Sequence, residues 1–424
     1  MAHDDHFHCF AFPSGVTPGP GGSAKRTDTW LRVFSGIKLP MFPLPVNLPT
    51  DLTFYSLTDD LKALVTALNG KLAGSAKVES LGQTDGKRDL WVLKIGAGIE
   101  KDPKKARVLF TSGLHAREWL APTYTYLIAE WLVTNYPKAA PANDMEKIAK
   151  DVLDNNHVWF VPMCNPDGHE YTVTTFRMHR KNSPGGDDFF RSAPGATPKR
   201  DPAAADSTDL NRNFDTKQWN AIRTSGKGDF SVDVNDENFE GATPASATET
   251  KLLQKMIDNT AFDLAVDHHT FDCAIMFPYG DDPGKAKEDK RLRAFTAAMQ
   301  KQINGKAAKS ANQTTRSTPD TWRLSKISDF YATLRGIPAD ESRIPGSITD
   351  YIIYVAEKAK RKTVAFAMEL PPMHYPGSPG FTPQESIIQP AFRQLIGTSL
   401  ALIKNATSAS PKDADFAAFD KVAP

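Results

Sequence analysis

The sequence of 424 residues has only three cysteines, no long apolar run and almost no net charge. Three cysteines are too few for a disulfide-rich scaffold, and no two of them have CxxC spacing. Because no run of about 18 apolar residues occurs, no membrane-spanning helix is expected. Lysine and arginine number 51 against 50 aspartates and glutamates, which excludes a basic nucleic-acid-binding protein and an acidic tail as descriptions of the whole chain.

The first residues do not have the pattern of a secretory signal. A signal peptide has a basic segment followed by an apolar one, whereas this stretch carries His3, His6 and His8, and glycine and proline follow. A metal site in this stretch would require a flexible terminus to become ordered, which costs entropy. We predict a partly flexible extension over residues 1–50, a folded body over residues 51–405 and a loose tail over residues 406–424. No cellular compartment is indicated.

Apolar patterns predict alternating helices and strands in the body. Helices are expected at 51–68 and 118–133, and strands at 90–95, 107–111, 157–163, 262–267, 274–277 and 363–369. Several strands are continuous apolar runs, which is typical of strands buried on both faces. The sequence therefore predicts an α/β fold with helices on each side of a sheet. Segments 183–208 and 223–248 are rich in turn-forming residues and are predicted surface loops.

The segment from Thr111 to Leu120 contains an HxxE motif at the end of a predicted strand. Gly113 lets the chain turn there, and the spacing of His115 and Glu118 can aim an imidazole and a carboxylate at one point. Zinc accepts both ligand types, and a catalytic zinc site needs three protein ligands and an open position. The pair alone is a weak signal, because a glutamate in the first turn of a helix is also favoured by the helix dipole.

Further motifs follow in a fixed order along the chain. They are NPDG at 165–168, RMHRK at 177–181, DLNRNF at 209–214, His269 at a strand end, FPYG at 277–280, PGSITD at 345–350 and VAFAMEL with Glu369. From about Tyr55 to about Lys404 this ordered set resembles the zinc metallocarboxypeptidase family of the A/B type. The resemblance implies a single catalytic domain with a central mixed, twisted sheet flanked by helices on both faces. It also implies a hydrolase that uses one zinc ion to remove the last residue of peptides or proteins.

The same resemblance assigns the groups that carry out the chemistry. His115, Glu118 and His269 match the zinc ligands, and His268 is the alternative if the register shifts by one residue. Glu369 matches the carboxylate that takes a proton from the attacking water and returns it to the leaving amine. Arg180 matches the arginine that stabilises the negative charge on the carbonyl oxygen.

The resemblance also assigns the substrate contacts. Asn211 and Arg212 match the pair that holds the terminal carboxylate, for which a guanidinium fork is well suited. Arg117 matches a residue on the acyl side of the cleaved bond. The pocket for the removed residue is implied at Thr349, Met276 and Ala367.

These three pocket positions are uncharged, so we expect a preference for apolar or aromatic C-terminal residues. The alternative is that Asp272 points inward and attracts a basic residue. Strand-end aspartates more often face solvent, and we expect Asp272 to do so.

Two positions differ from the family pattern. Ser342 stands where the family has a tyrosine that caps bound substrate, and Phe271 stands where a second tyrosine is common. One alternative is therefore a non-catalytic binding module, and another is a zinc amidohydrolase acting on a peptidoglycan peptide or a small-molecule amide. The presence of all three zinc ligands and of Glu369 favours an active exopeptidase.

Overall fold

The computed structural model describes residues 54–422, except 100, 176, 183–206, 283, 285, 308–321, 336–337, 339–341, 372–380 and 382–384. The predicted N-terminal extension, with its histidines, and most of the first predicted loop lie outside the described residues. Across the described residues, no helix combines the length and apolar character that a membrane crossing requires.

One mixed sheet of eight strands forms the centre of the described chain. Its strands are β1 (Ala76–Gln83), β2 (Asp89–Ile95), β3 (Ala106–Ser112), β4 (Asn156–Val161), β5 (Leu264–Thr270), β6 (Ala274–Phe277), β7 (Arg323–Lys326) and β8 (Val364–Leu370). Their order across the sheet is β1-β2-β4-β3-β5-β8-β6-β7. The four central strands β4, β3, β5 and β8 are parallel, whereas β2 and β6 run antiparallel to their inner neighbours. The carboxyl ends of the four central strands therefore share one edge.

Helices connect these strands and cover the sheet. They are α1 (Phe54–Asn69), α2 (Leu120–Asn135), α3 (Asp144–Asn155), α4 (Pro166–Thr174), α5 (Trp219–Ser225), α6 (Thr248–Asp258), α7 (Asp289–Ala307), α8 (Ile327–Arg335), α9 (Ile348–Lys358), α10 (Glu385–Lys404) and α11 (Asp413–Ala417). Helix α2 is buried almost all round, as expected of a helix placed between a sheet and other helices.

The two faces of the sheet have different surroundings. On one face, His268 of β5 packs edge-on against Tyr124 of α2, and Phe366 of β8 packs against Phe295 of α7. Because successive residues of a strand point to opposite faces, His269 lies on the other face. The N-terminus of α9 lies near that face, and its Ile348 N–H donates to Asn211 Oδ1.

The predicted fold class is confirmed, and the ends of the predicted central strands lie within three residues of the observed ones. Strands β1 and β7 were not predicted. Strand β1 lies at an edge and is mostly half-buried, and β7 has only four residues, so neither has a continuous apolar run. Cys164 and Cys273 are free thiols, and both are buried.

The prediction of a loose C-terminal tail is wrong for the residues that the structure describes. Helix α11 packs against α7 and α10, and Phe416, Phe419 and Val422 are buried in the main core. These three apolar side chains are separated by polar residues and alanines, so the segment has no long apolar run. Its packing depends on the surface that α7 and α10 provide.

Candidate functional site

The candidate site lies at the carboxyl edge of the parallel strands, on the face opposite α2. Strand β3 ends shortly before His115, β5 carries His269 near its end, and β8 carries Glu369 near its end. His269 and Glu369 are directly paired across β5 and β8, so their side chains share a face. This edge is where open α/β sheets generally bind ligands.

The three predicted metal ligands converge on one point. His115 Nδ1 is 2.7 Å from Glu118 Oε1, and His269 Nδ1 is 2.9 Å from Glu118 Oε2. One ligand atom from each of the three residues lies within 4.8 Å of the others, and all three residues are buried. Glu118 Oε2 also accepts the Thr270 N–H at 3.1 Å, which fixes the carboxylate at the end of β5.

The far nitrogen of each imidazole faces a buried aspartate. His115 Nε2 is 3.3 Å from Asp209 Oδ1, and His269 Nε2 is 2.6 Å from Asp267 Oδ2. A hydrogen on Nε2 leaves the lone pair on Nδ1, where the three donors meet. Two imidazoles and one carboxylate are a ligand set of catalytic zinc sites, so the residues present fit a zinc ion.

His268 takes no part in this cluster. Its Nδ1 lies 2.8 Å from the Thr125 hydroxyl on the α2 side of the sheet. Burial lowers the pKa of His268 to about 3, so the ring is neutral in its apolar surroundings. The structure thus places His269, and not the register alternative, beside Glu118.

Charge interactions within the cluster favour the ionised forms. Burial acts to raise the pKa of Glu118, but the adjacent His115 and His269 hold it well below its ordinary value. Burial acts to lower the pKa of His269, but Asp267 and Glu118 raise it well above its ordinary value. A divalent cation at this point would displace the second proton of His269, and the Glu118 carboxylate would balance part of its charge.

Glu369 lies beside the cluster in a different environment. Its burial raises the pKa of the carboxyl group to about 8, with Glu118 and Asp272 adding to the rise and His269 and Arg180 opposing it. A carboxyl group whose pKa lies near neutrality can both take up and release a proton. A bound divalent cation would add positive charge nearby and favour its ionised form.

Arg180 is linked to the metal-ligand cluster through Asp209. Its Nε and Nη2 donate to Asp209 Oδ2 at 3.0 and 2.7 Å, while the other oxygen of Asp209 faces His115. Burial acts to raise the pKa of Asp209, but Arg180, His115 and Arg212 hold it well below its ordinary value. Asp209 therefore fixes Arg180 relative to His115.

Asn211 and Arg212 lie on a short 3₁₀ turn next to the cluster. Asn211 Nδ2 is 3.2 Å from His269 Nε2, which places this turn at the metal site. Arg212 Nε donates to the Asp229 backbone oxygen at 2.6 Å, and Nη2 donates to the Asp229 carboxylate at 2.7 Å. Arg212 Nη1 donates to the Asn211 backbone oxygen at 3.2 Å. These bonds hold the side of the guanidinium group, and Nη1 also lies 3.9 Å from Asp209 Oδ2. One hydrogen each on Nη1 and Nη2 has no hydrogen-bond acceptor among the described residues.

Arg117 lies beside Phe381 and Glu237. Its Nη1 donates to Glu237 Oε2 at 2.9 Å, and its guanidinium group lies 4.3 Å from the centre of the Phe381 ring. Phe271 contacts the same Phe381 ring. Arg117 is buried, and Glu237 and Phe381 hold its guanidinium group.

The predicted pocket residues lie beneath Glu369. Met276 and Ala367 are paired across β6 and β8. Ala367 lies two residues before Glu369 on β8, and Glu369 is paired with Ala274. They belong to an apolar cluster that is separate from the main core and consists of Ala274, Met276, Ile327, Phe330, Ile344 and Ala367. Thr349 is buried in the first turn of α9, next to the Ile348 N–H that binds Asn211.

Asp272 does not face solvent, so that expectation is wrong. The residue is buried, and its carboxylate forms an ion pair with Arg323 of β7. Strand β7 was not predicted, and the arginine partner could not be foreseen without it. Ser342 is also buried and donates to the Ser328 backbone oxygen at 2.7 Å.

Sequence reasoning assigned no role to the acids that hold the basic groups, namely Asp209, Asp229, Glu237 and Asp267. Asp209 stands inside a motif. Asp267 interrupts an apolar strand, and a buried charge is costly unless it is paired, so a partner for Asp267 could have been predicted from the sequence. Asp229 and Glu237 come from the segment 223–248, which was predicted as surface loop, and nothing in their sequence context marks them.

Comparison with known proteins gives a consistent family match. A model of the zinc carboxypeptidase family matches residues 61–396. The chain is 31% identical to mast cell carboxypeptidase A of Homo sapiens over 202 residues, which cover 47% of this chain and 41% of that protein. It is 28% identical to metallocarboxypeptidase A of Trichophyton rubrum over 265 residues, covering 60% of this chain and 55% of that protein. The chain thus spans about half the length of the curated relatives that it matches.

Solved structures match the fold at lower sequence identity. Thrombin activatable fibrinolysis inhibitor matches with a TM-score of 0.62 and 20% identity, covering 84% of this chain and 74% of that one. Carboxypeptidase A from Helicoverpa armigera also matches with a TM-score of 0.62 and 20% identity, covering 85% of this chain and 74% of that one. At this identity the likeness concerns the fold.

Proposed function

The chain belongs to the zinc carboxypeptidase family, and from this membership we propose that it hydrolyses the C-terminal peptide bond of peptides or proteins. The observation that carries the proposal is the convergence of His115, Glu118 and His269 beside the carboxyl group of Glu369. A cation site next to a proton-transferring group is what hydrolysis by an activated water requires.

The chain's own residues have distinct parts in this proposal. A zinc ion, if held by the three ligands, would supply Lewis acidity and lower the pKa of water in the site. Glu369 accepts a proton from the attacking water and delivers it to the nitrogen of the leaving residue. Arg180, held by Asp209, donates to the carbonyl oxygen as negative charge develops there.

Restriction to the last residue of a substrate follows from Arg212 and Asn211. The two remaining hydrogens on Nη1 and Nη2 of Arg212 can bind a planar carboxylate at two points. A peptide bond in the middle of a chain has no such carboxylate nearby. The bond next to the C-terminus is therefore the one that this site would hold in place for cleavage.

An apolar or aromatic C-terminal residue is the proposed preference. The pocket residues Met276 and Ala367 belong to an apolar cluster, and Thr349 adds a single hydroxyl. Among the nearby carboxylates, Asp272 is paired with Arg323, and Asp267 has His269 and Thr111 as partners. A basic substrate side chain would have to compete with those partners.

The test is a hydrolysis assay with zinc content measured in the same samples. Zinc-loaded protein is incubated with N-blocked dipeptides that end in a free carboxylate or in an amide, and release of the last residue is followed. We expect cleavage of the free acids alone, and we expect loss of both zinc and activity in His115→Ala. His268→Gln is the matched control, because it changes the neighbouring histidine on the opposite face.

Three outcomes would contradict the proposal. Equal cleavage of amidated peptides would exclude a carboxypeptidase, and zinc binding without any hydrolysis would indicate a binding module. Cleavage of a peptidoglycan peptide or of a small-molecule amide in place of the dipeptides would indicate an amidohydrolase.

A further inference from the structure

Asp267 is a buried carboxylate on the same face as the metal ligand His269. The two residues are two positions apart on β5, so their side chains point to the same face. Asp267 is only 2% exposed. Its Oδ2 lies 2.6 Å from His269 Nε2, and its Oδ1 accepts the Thr111 hydroxyl at 2.7 Å. Both oxygens are thus engaged by neighbours on β5 and β3.

The position of this aspartate is costly unless it serves a partner. The preceding residues of β5 are apolar and fully buried, and a carboxylate at this depth loses its hydration. Thr111 supplies one neutral hydrogen bond, whereas His269 supplies the charge-assisted one. The contact with His269 is therefore the main compensation for burying Asp267.

The contact also decides which nitrogen of His269 carries the hydrogen. Asn211 Nδ2 approaches the same Nε2 at 3.2 Å, but a ring nitrogen takes part in one hydrogen bond. The carboxylate is closer and negatively charged, so the hydrogen on Nε2 is donated to Asp267. When a metal displaces the second proton of His269, the lone pair is then on Nδ1, which faces Glu118.

We propose that Asp267 is a positioning residue that sets the ring orientation and tautomer of His269 for metal binding. The inference rests on the proposed function only in taking His269 as a zinc ligand. It also gives Asp267 a role that is separate from the pocket, although Asp267 is paired with Ala367 across the sheet. Its carboxylate is committed to His269 and Thr111, not to a substrate side chain.

The experiment measures zinc affinity of the full chain without substrate. The dissociation constant is obtained by competition with a chromophoric chelator for the wild type and Asp267→Asn. Removing such a partner of a ligating histidine typically weakens metal binding by about 10–100-fold, and we expect a loss in that range. The asparagine retains the shape of the side chain, so the cavity is not enlarged.

Asp167→Asn is the matched control. Asp167 is also a buried aspartate, and it accepts from the Thr84 hydroxyl, the Gly86 N–H and Arg88, none of which is a proposed metal ligand. We expect this variant to lose thermal stability and to keep the wild-type zinc affinity. A zinc affinity of Asp267→Asn within about twofold of the wild type, or an equal loss in Asp167→Asn, would overturn the proposal.

A second variant keeps the test decisive if Asp267→Asn does not fold. Thr111→Val leaves the charge of Asp267 in place and removes the other hydrogen bond that orients it. We expect zinc affinity to fall several-fold, and an unchanged value would overturn the proposal. A wild type that binds no zinc would instead contradict the metal site, and normal zinc binding without hydrolysis would contradict only the proposed function.

Discussion

Buried acid–base pairs surround the candidate metal site. Arg180 is paired with Asp209 and Arg212 with Asp229. Burying such pairs costs hydration energy, so they are weak contributors to stability. Their value here is geometric, because each pair fixes the direction in which a long, flexible side chain presents its remaining hydrogens.

The role proposed for Glu369 predicts a separation of metal binding from turnover. In Glu369→Gln the amide cannot accept a proton, while the three metal ligands are unchanged. We expect wild-type zinc content and a decrease in kcat/KM of about 10²–10⁴-fold. Glu249→Gln is the control, since burial also raises the pKa of that glutamate, to about 7, on helix α6. Near wild-type activity of Glu369→Gln would place the base elsewhere.

The proposed role of Arg212 predicts an effect on substrate binding. Arg212→Gln removes a charged donor pair for the terminal carboxylate, and each charged hydrogen bond contributes about 1.5–3 kcal/mol. We therefore expect KM for free-acid dipeptides to rise about 10²–10⁴-fold with a smaller change in kcat. Arg223→Gln is the matched control, because Arg223 pairs with buried Glu240 in the same part of the chain. Equal effects of the two changes would indicate a structural role.

At the level of residues, the sequence predicted the groups that stand in motifs and missed their partners. His115 and Glu118 are close along the chain, and the ordered motifs supplied His269 and Glu369. Asp229 meets Arg212 only because the segment after α5 folds back over the 3₁₀ turn. Such a contact depends on loop conformation, for which the sequence carries no periodic signal.

Helix α2 carries a buried glutamate, and this predicts a pH effect on stability. Burial, together with Asp60, raises the pKa of Glu130 to about 8, and the Tyr126 hydroxyl lies 3.4 Å from its Oε1. In the unfolded chain this group ionises near its ordinary value of 4.5, while in the folded chain it stays protonated up to about 8. The folded state thus binds more protons, and stability falls as the pH rises across that window.

Glu130→Gln should remove most of this dependence, because a neutral amide has no proton to lose. We expect the variant to gain stability relative to the wild type between about pH 5 and about pH 9, by on the order of a few kcal/mol. Urea unfolding at several pH values measures the difference. The control is Glu288→Gln, a partly exposed position just before α7. Parallel pH profiles of wild type and Glu130→Gln would contradict the expectation.

Elements were predictable in proportion to how continuously apolar they are. Strands β3, β5 and β8 are buried along nearly their whole length, and their apolar residues mark them in the sequence. Strand β1 and helix α11 instead expose much of their surface. Each is stabilised by the neighbour it packs on, which a local pattern does not contain.

The site as a whole is a product of topology. Glu118 and His269 are 151 residues apart in sequence, yet their side chains are in contact because β3 and β5 are adjacent and parallel. Glu369 joins them because β8 is the next strand in the sheet. This arrangement was predictable only through the family resemblance, because the spacing of residues along the chain does not reveal the order of strands in a sheet.

The same topology sets the expected choice of C-terminal residue. The apolar cluster around Met276 and Ala367 lies beneath Glu369, and Thr349 approaches from α9 with one hydroxyl and no charge. On one blocked scaffold, we expect kcat/KM to be higher for C-terminal Phe and Leu than for Lys and Glu. We expect this difference because burying a charge without a partner costs roughly several kcal/mol.

Introducing an acid at the pocket should reverse this order for basic residues. Thr349→Asp places a carboxylate in the first turn of α9, where the helix dipole favours it, and we expect the Lys-to-Phe ratio of kcat/KM to rise about tenfold or more. Thr349→Asn is the control, because it has nearly the same size and no charge. If the wild type already releases Lys faster than Phe and Leu, the pocket is not neutral. The acid responsible would then be Asp272, whose pairing with Arg323 would have to yield to substrate, and Asp272→Asn would abolish the preference.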